Sequence, residues 1–138
     1  MNWNYSIAED VALAEVKTLA EDFAIAEITD QEVAAKLPQV ILAVRLGLLV
    51  IAGETITYTL KTPIIADSGA VALSEITVKT RMPYIEAKKI MKEADQVRDA
   101  VEYNLRMMGF MVGQPAAMVY KLSKFDYKVI EQLTSLFL

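Results

Sequence analysis

Residues 55–108 constrain the fold most, because two different hydrophobic periods meet there. Ile56, Tyr58 and Leu60 alternate with Thr55, Thr57, Thr59 and Lys61. Beta-branched and aromatic residues at period two predict a strand over residues 54–62. Pro63 ends the ladder or marks an edge. Asp67, Ser68 and Gly69 supply turn chemistry, and residues 71–81 form the returning strand. In that strand Ile76 and Val78 point inward, and the three-residue step from Leu73 predicts a bulge or a late start at Ser74. Two strands alone are marginally stable, so the hairpin must lie on helices or pair its edges with another copy.

The period then changes. Pro83 suits the first position of a helix, where its missing donor costs nothing. Ala87, Ile90, Met91, Ala94, Val97, Val101, Leu105 and Met108 form a stripe at near-heptad spacing, which predicts one long helix stopped by Gly109. Pro115 can start a short helix through Tyr120. Ser123 and Asp126 make a cap pattern for a last helix carrying Val129, Ile130 and Leu133. The apolar ending at Leu138 is expected to be tied down.

Ahead of the hairpin the pattern is helical. Trp3 and Tyr5 can anchor a loose lead-in on the body. Ser6 to Glu9 reads as a capping box for a helix whose stripe is Ala12, Val16, Leu19, Phe23 and Ala26, with an acidic outer side at Glu9, Asp10, Glu15, Glu21, Asp22 and Glu27. Thr29 to Glu32 caps a second helix ending at Lys36. Pro38 imposes a kink or a fresh start. Residues 37–52 then read as a helix apolar on nearly all sides, enclosed by this chain or by a second copy, with Gly47 arguing against one unbroken rod. The fold class is therefore α+β, mainly α: a helical N-terminal extension (residues 1–53), then a hairpin, a long helix and two shorter helices (residues 54–138), the two parts making one compact unit.

The chain offers little chemistry. Its 138 residues include no Cys and no His, which removes disulfides, thiolate metal sites and the commonest general base. Glu9 with Asp10 and Glu21 with Asp22 are helix neighbours that point apart, so neither pair is a shared acid–base site. Gly109 and Gly113 precede no Lys-Ser or Lys-Thr, so no phosphate loop is present. The reading is a protein without catalytic residues, cofactor or metal. A net charge of -4 argues against nucleic acid. The longest apolar run, residues 37–52, is shorter than a membrane span and carries Arg45, so no membrane partner is expected. With no basic region before an apolar run at the N-terminus, the expected location is the cytoplasm of the cell that makes it.

An apolar share of 54% needs either a large core or a surface that meets a partner or another copy, and the second is favoured. Met107, Met108, Met111 and Met118 cluster with Phe110 before the final helices. They read either as flexible core filler or as an adaptable apolar surface for a variable partner. On the second reading, Met108→Asp or Met111→Asp weakens binding and leaves the fold intact.

Residues 54–138 also resemble the phage tail assembly chaperones of the Mu-like and P2-like type. The landmarks are Leu60-Lys61-Thr62-Pro63, then a strand running into Arg81-Met82-Pro83, then Met108-Gly109-Phe110, and Leu122-Ser123-Lys124-Phe125-Asp126 before a closing helix. Residues 1–53 depart from the family, whose members start near the first strand. The apolar run at residues 37–52 and the unaccompanied hairpin predict self-association into a homo-oligomer. The resemblance implies an interaction protein of the host bacterial cytoplasm. It would bind the phage tape measure protein, a long, apolar, helical polypeptide, and keep it soluble during tail assembly. The alternative is a structural tail or baseplate protein retained in the virion.

Overall fold

The computed structural model describes residues 3–23 and 27–138, and within them the chain has an α+β, mainly α fold. In chain order the elements are α1 (Glu9–Phe23), α2 (Asp30–Lys36), α3 (Pro38–Arg45), β1 (Leu49–Ala52), β2 (Thr55–Ile65), β3 (Val71–Val78), α4 (Tyr84–Glu93), α5 (Ala100–Val112), α6 (Ala116–Tyr120) and α7 (Lys124–Ser135). The three strands form one antiparallel sheet in the order β1-β2-β3. Ala26, assigned to the first helical stripe by its spacing, lies outside the described residues.

The sheet shows why residues 37–52 are not one helix. Pro38 begins α3 as its spacing predicts, and Val40, Ile41, Ala43 and Val44 are buried. The helix then stops, because Gly47 takes a left-handed φ of 75° that side chains disfavour. The chain reverses, and Leu49 to Ala52 pair with Tyr58 to Thr55 as a third strand. A run such as Leu-Leu-Val-Ile fits a buried strand as well as a helix. Part of its apolarity is buried within this chain, where Val40, Val44 and Leu49 are fully enclosed, while Val50 on β1 stays exposed.

Inward alternation in the hairpin follows the sequence: Ile56, Tyr58, Leu60, Ile76 and Val78 are buried, and Thr55, Thr59 and Lys61 are exposed. The larger irregularity lies on β2, and a smaller one leaves Ala72 unpaired near the start of β3, between the Ile64–Leu73 and Ile65–Val71 pairs. Thr59 pairs with Glu75 and Ile64 with Leu73, so Leu60, Lys61, Thr62 and Pro63 stand opposite Ser74 alone. Pro63 is therefore inside the central strand but in a bulge, where no ladder donor is needed.

The bulge is satisfied by α7. The backbone N–H groups of Lys61 and Thr62 donate to Asp126 Oδ1 (2.9 Å) and Oδ2 (3.1 Å). The Tyr58 hydroxyl donates to Oδ1 at 2.5 Å, and the Ser123 hydroxyl to Oδ2 at 2.9 Å. The Asp126 N–H returns a bond to Ser123 Oγ, closing the predicted cap. Asp126 is fully buried in the first turn of α7, with both carboxylate oxygens taken up by these donors. Burial, and then the Asp126 hydrogen bond and charge, hold the Tyr58 phenol protonated well beyond its ordinary range. One turn-pair further along α7, Gln132 Oε1 accepts from the N–H groups of Gln39 (2.8 Å) and Val40 (3.3 Å), donors that α3 leaves without a side-chain cap.

Several ends differ from the sequence patterns. Thr29 caps α2 as predicted, accepting from the Glu32 N–H at 3.2 Å. Ser6 does not cap α1. The helix begins at Glu9, and the N–H groups of Ser6 and Ile7 donate instead to the Arg45 carbonyl. Trp3 and Tyr5 do anchor the lead-in: the Trp3 and Phe125 ring centroids are 5.8 Å apart, and the Arg45 guanidinium lies 3.7 Å from the Tyr5 centroid. At the other end Phe137 meets Phe23 edge-on at 4.7 Å, while Leu138 is about half exposed.

The predicted long helix is two helices. Ala94 leaves helical geometry, and Asp95 Oδ1 accepts the N–H groups of Val97 and Arg98 at 2.8 Å each. Asp99 returns the favour to the Asp95 N–H. A carboxylate that bonds nearby backbone offers the chain an alternative to helix, and here it wins. Those amide bonds, chiefly the one from Arg98, hold the Asp95 carboxyl below its ordinary range. Gly109 does not stop α5 but lies inside it, where a β-carbon would come within 2.5 Å of the Gln114 carbonyl oxygen. The helix runs on to Val112 and ends at Gly113.

One hydrophobic core joins α1, α2, α3, the sheet, α5, α6 and α7. A second, smaller cluster of Ala87, Ala94, Tyr103 and Met107, with Met82 and Ile90 against it, holds α4 to α5.

Candidate partner-binding surface

The continuation of α5 through Gly109 decides where the methionine cluster goes. Positions 107, 108 and 111 fall at i, i+1 and i+4 on one side of α5, and that side is covered by its neighbours among α4, α6, α7 and β3. Met107 faces α4 in the small cluster, Met108 joins the main core, and Met111 is wholly buried, its carbonyl accepting the Lys79 N–H at 2.7 Å. Phe110 is half-buried, with Lys79 Nζ 4.4 Å from its ring centroid. Met118, also half-buried, packs on the main core. Three of the five residues are thus interior, and Phe110 and Met118 are half-buried, so the five do not form an exposed apolar surface. At Met108 and Met111 an aspartate would enter the interior, so loss of the fold is expected there rather than an intact fold with weaker binding.

The apolar surface that is available lies beside them. Val101 and Tyr120 are 70% and 75% exposed. With Leu105, Val119, Leu122 and Tyr127 they line an open groove of about 370 Å³ between α5, α6 and the start of α7. Its floor is fixed by the main core through Leu105 and Val119, and its rim carries Lys124. Burial and the nearby Glu131 raise the Tyr127 phenol above its ordinary range, so Tyr127 stays a neutral hydrogen-bonding wall. The signal in the sequence was the pair Val101 and Tyr120, which a stripe of helix-spaced residues assigns to a core.

Among the described residues no group of three or more acidic side chains could hold a metal ion. No helix of the described residues is long and apolar enough to cross a membrane. Asp126, the one fully buried carboxylate among the described residues, has both side-chain oxygens engaged by groups that build the fold. No protein-family model, no curated protein and no solved structure matches the chain.

Proposed function

We propose that this chain is an interaction protein of phage tail assembly, a chaperone that binds an apolar helical segment of the tape measure protein in the host cytoplasm and keeps it soluble. The observation that carries the reading is the open groove between α5, α6 and α7, with Val101 and Tyr120 standing free at its edges. An amphipathic helix binds such a groove through apolar side chains at three- and four-residue spacing. The Leu60-to-Pro63 and Leu122-to-Asp126 landmarks of the family resemblance support it from a second direction. They are the two halves of one hydrogen-bonded joint that fixes the start of α7, and α7 forms a wall of the groove.

The test is co-expression with the tape measure protein followed by pull-down. Wild type is expected to co-purify with it. Val101→Asp and Tyr120→Ala, both at exposed positions, are expected to fold normally and to bind at least about tenfold more weakly. Absence of co-purification, or binding indifferent to both variants, would overturn the assignment. Mass spectrometry of finished particles gives the complementary measurement. A chaperone is absent from them, and stoichiometric presence would make this a structural tail protein.

A further inference from the structure

The two helices at opposite ends of the molecule expose complementary surfaces. α1 packs on α2 and α3, α4 packs on α5, and α3 and α7 lie between them. α4 turns Ala87, Ile90 and Ala94 toward α5. Its other side shows Tyr84 and Ile85, 75% and 63% exposed, among Lys88, Lys89 and Lys92. Residues 79–92 carry five basic residues and one acidic residue, Glu86. Lys89 pairs with Glu86 at 3.4 Å, but Arg81, Lys88 and Lys92 have no ion pair among the described residues.

α1 presents the opposite arrangement. It holds five acidic residues and one basic residue, Lys17, which is engaged with Asp30 at 2.8 Å. Val11, Glu15, Thr18 and Asp22 follow one another at helical steps on its outer face. Beside them runs an open cleft of about 320 Å³, with Leu19 of α1 and Ile51 of β1 as apolar walls and Glu15 and Asp22 on the rim. Neither carboxylate has an ion pair among the described residues. An apolar ridge flanked by unpaired cations thus stands at one end, and an apolar cleft flanked by unpaired anions at the other. One chain cannot bring them together, because its own core separates them.

We propose that α4 of one copy docks on the α1–β1 cleft of a second copy, Ile85 entering between Leu19 and Ile51 while Lys88 and Lys92 meet Glu15 and Asp22. The contact is heterologous: each copy keeps a free cleft at one end and a free α4 at the other, so assembly proceeds head to tail into a ring or a filament. Exposed ion pairs give register and salt dependence more than affinity, so association is weak and falls as salt rises. This interface is separate from the α5–α6–α7 groove and does not depend on what that groove binds.

Sedimentation velocity of the full chain tests it, at protein concentrations up to about 100 μM and at about 50 and 500 mM salt. Concentration-dependent association is expected, stronger at the lower salt. K88E/K92E and E15K/D22K should each associate at least about tenfold more weakly while keeping a wild-type circular dichroism spectrum. An equimolar mixture of the two should recover association, because each reversed surface then meets its complement. Ile85→Ser should weaken association at both salts. A chain monomeric throughout overturns the proposal. So does association that survives both charge reversals, or a mixture of folded variants that fails to recover. Capture of a monomeric wild type by anionic phospholipid vesicles, lost in K88E/K92E, would assign α4 to a lipid surface instead.

Discussion

Two regions of this molecule each turn on an aspartate, and they hold their surroundings in different ways. Asp126 is buried and ties α7 to backbone donors at residues 61 and 62, far away in the chain. Asp95 is half-buried at the surface and ties only its own turn, through Val97 and Arg98. Around the first lies the main core, to which six helices and the sheet contribute. Around the second, α4 is held by four buried side chains and by an ion pair of Arg106 with Glu93. Exposed pairs of that kind contribute little. The comparison teaches that stability here is not uniform: α4 is an annex that can open while the main body stays folded.

The largest test of that contrast strikes the main core. Met111→Asp places a charge where the side chain is 0% exposed, and no folded protein is expected by circular dichroism or gel filtration. Next is Asp126→Ala, which leaves the Lys61 and Thr62 amides and the Tyr58 hydroxyl without their acceptor. A loss of about 3–5 kcal/mol is expected in urea unfolding. A loss under about 1 kcal/mol would mean that water satisfies the bulge unaided.

In the annex the effects shrink. Ala87→Asp should strip hydrogen-exchange protection from residues 84–93 and lower the global unfolding free energy, read by urea, by less than about 1 kcal/mol. Co-operative loss of the whole fold would merge the two regions into one. The smallest effect concerns pH. The Asp95 carboxyl is held below its ordinary range in the folded chain, so its contribution is present above the unfolded value of about 4 and is lost as pH falls through the folded one. Acidification through that window should therefore raise exchange of the 95–99 turn before it affects β2 or α7. Simultaneous exchange in all three would remove Asp95 from the account.

The same contrast explains what could be read from the sequence. The hairpin alternation at Ile56, Tyr58 and Leu60, the caps at Thr29 and Ser123 and the fresh start at Pro38 depend on neighbours within four residues, and each stands in the structure as its spacing implies. The three-residue step after Leu73 marks a real shift in register near the start of β3, but the larger bulge at residues 60–63 has no local signal, because its partner Asp126 is distant in the chain. The break at Ala94 was missed because the apolar stripe continues across it, whereas the decisive bonds come from a polar side chain. Residues 49–52 were assigned to a helix because four apolar residues carry no period of their own. Met107, Met108 and Met111 lie in the interior for a related reason. Composition located the cluster, but the side on which each residue falls depends on α5 running through Gly109, and only the close approach of Gln114 accounts for that glycine. The groove beside the cluster comes from helix packing, which no local pattern encodes.

The joint between residues 61–62 and Asp126 also bears on the order of synthesis. A nascent chain that has emerged only through β3 holds a hairpin whose bulge has no carboxylate to accept its amides, and an α3 whose first donors still await Gln132. Vectorial folding of the early elements is therefore provisional, and the sheet locks only when the final helix arrives. Ribosome-bound chains truncated before residue 123 should remain protease-sensitive in β2. Chains that also expose α7 should become resistant in a single step.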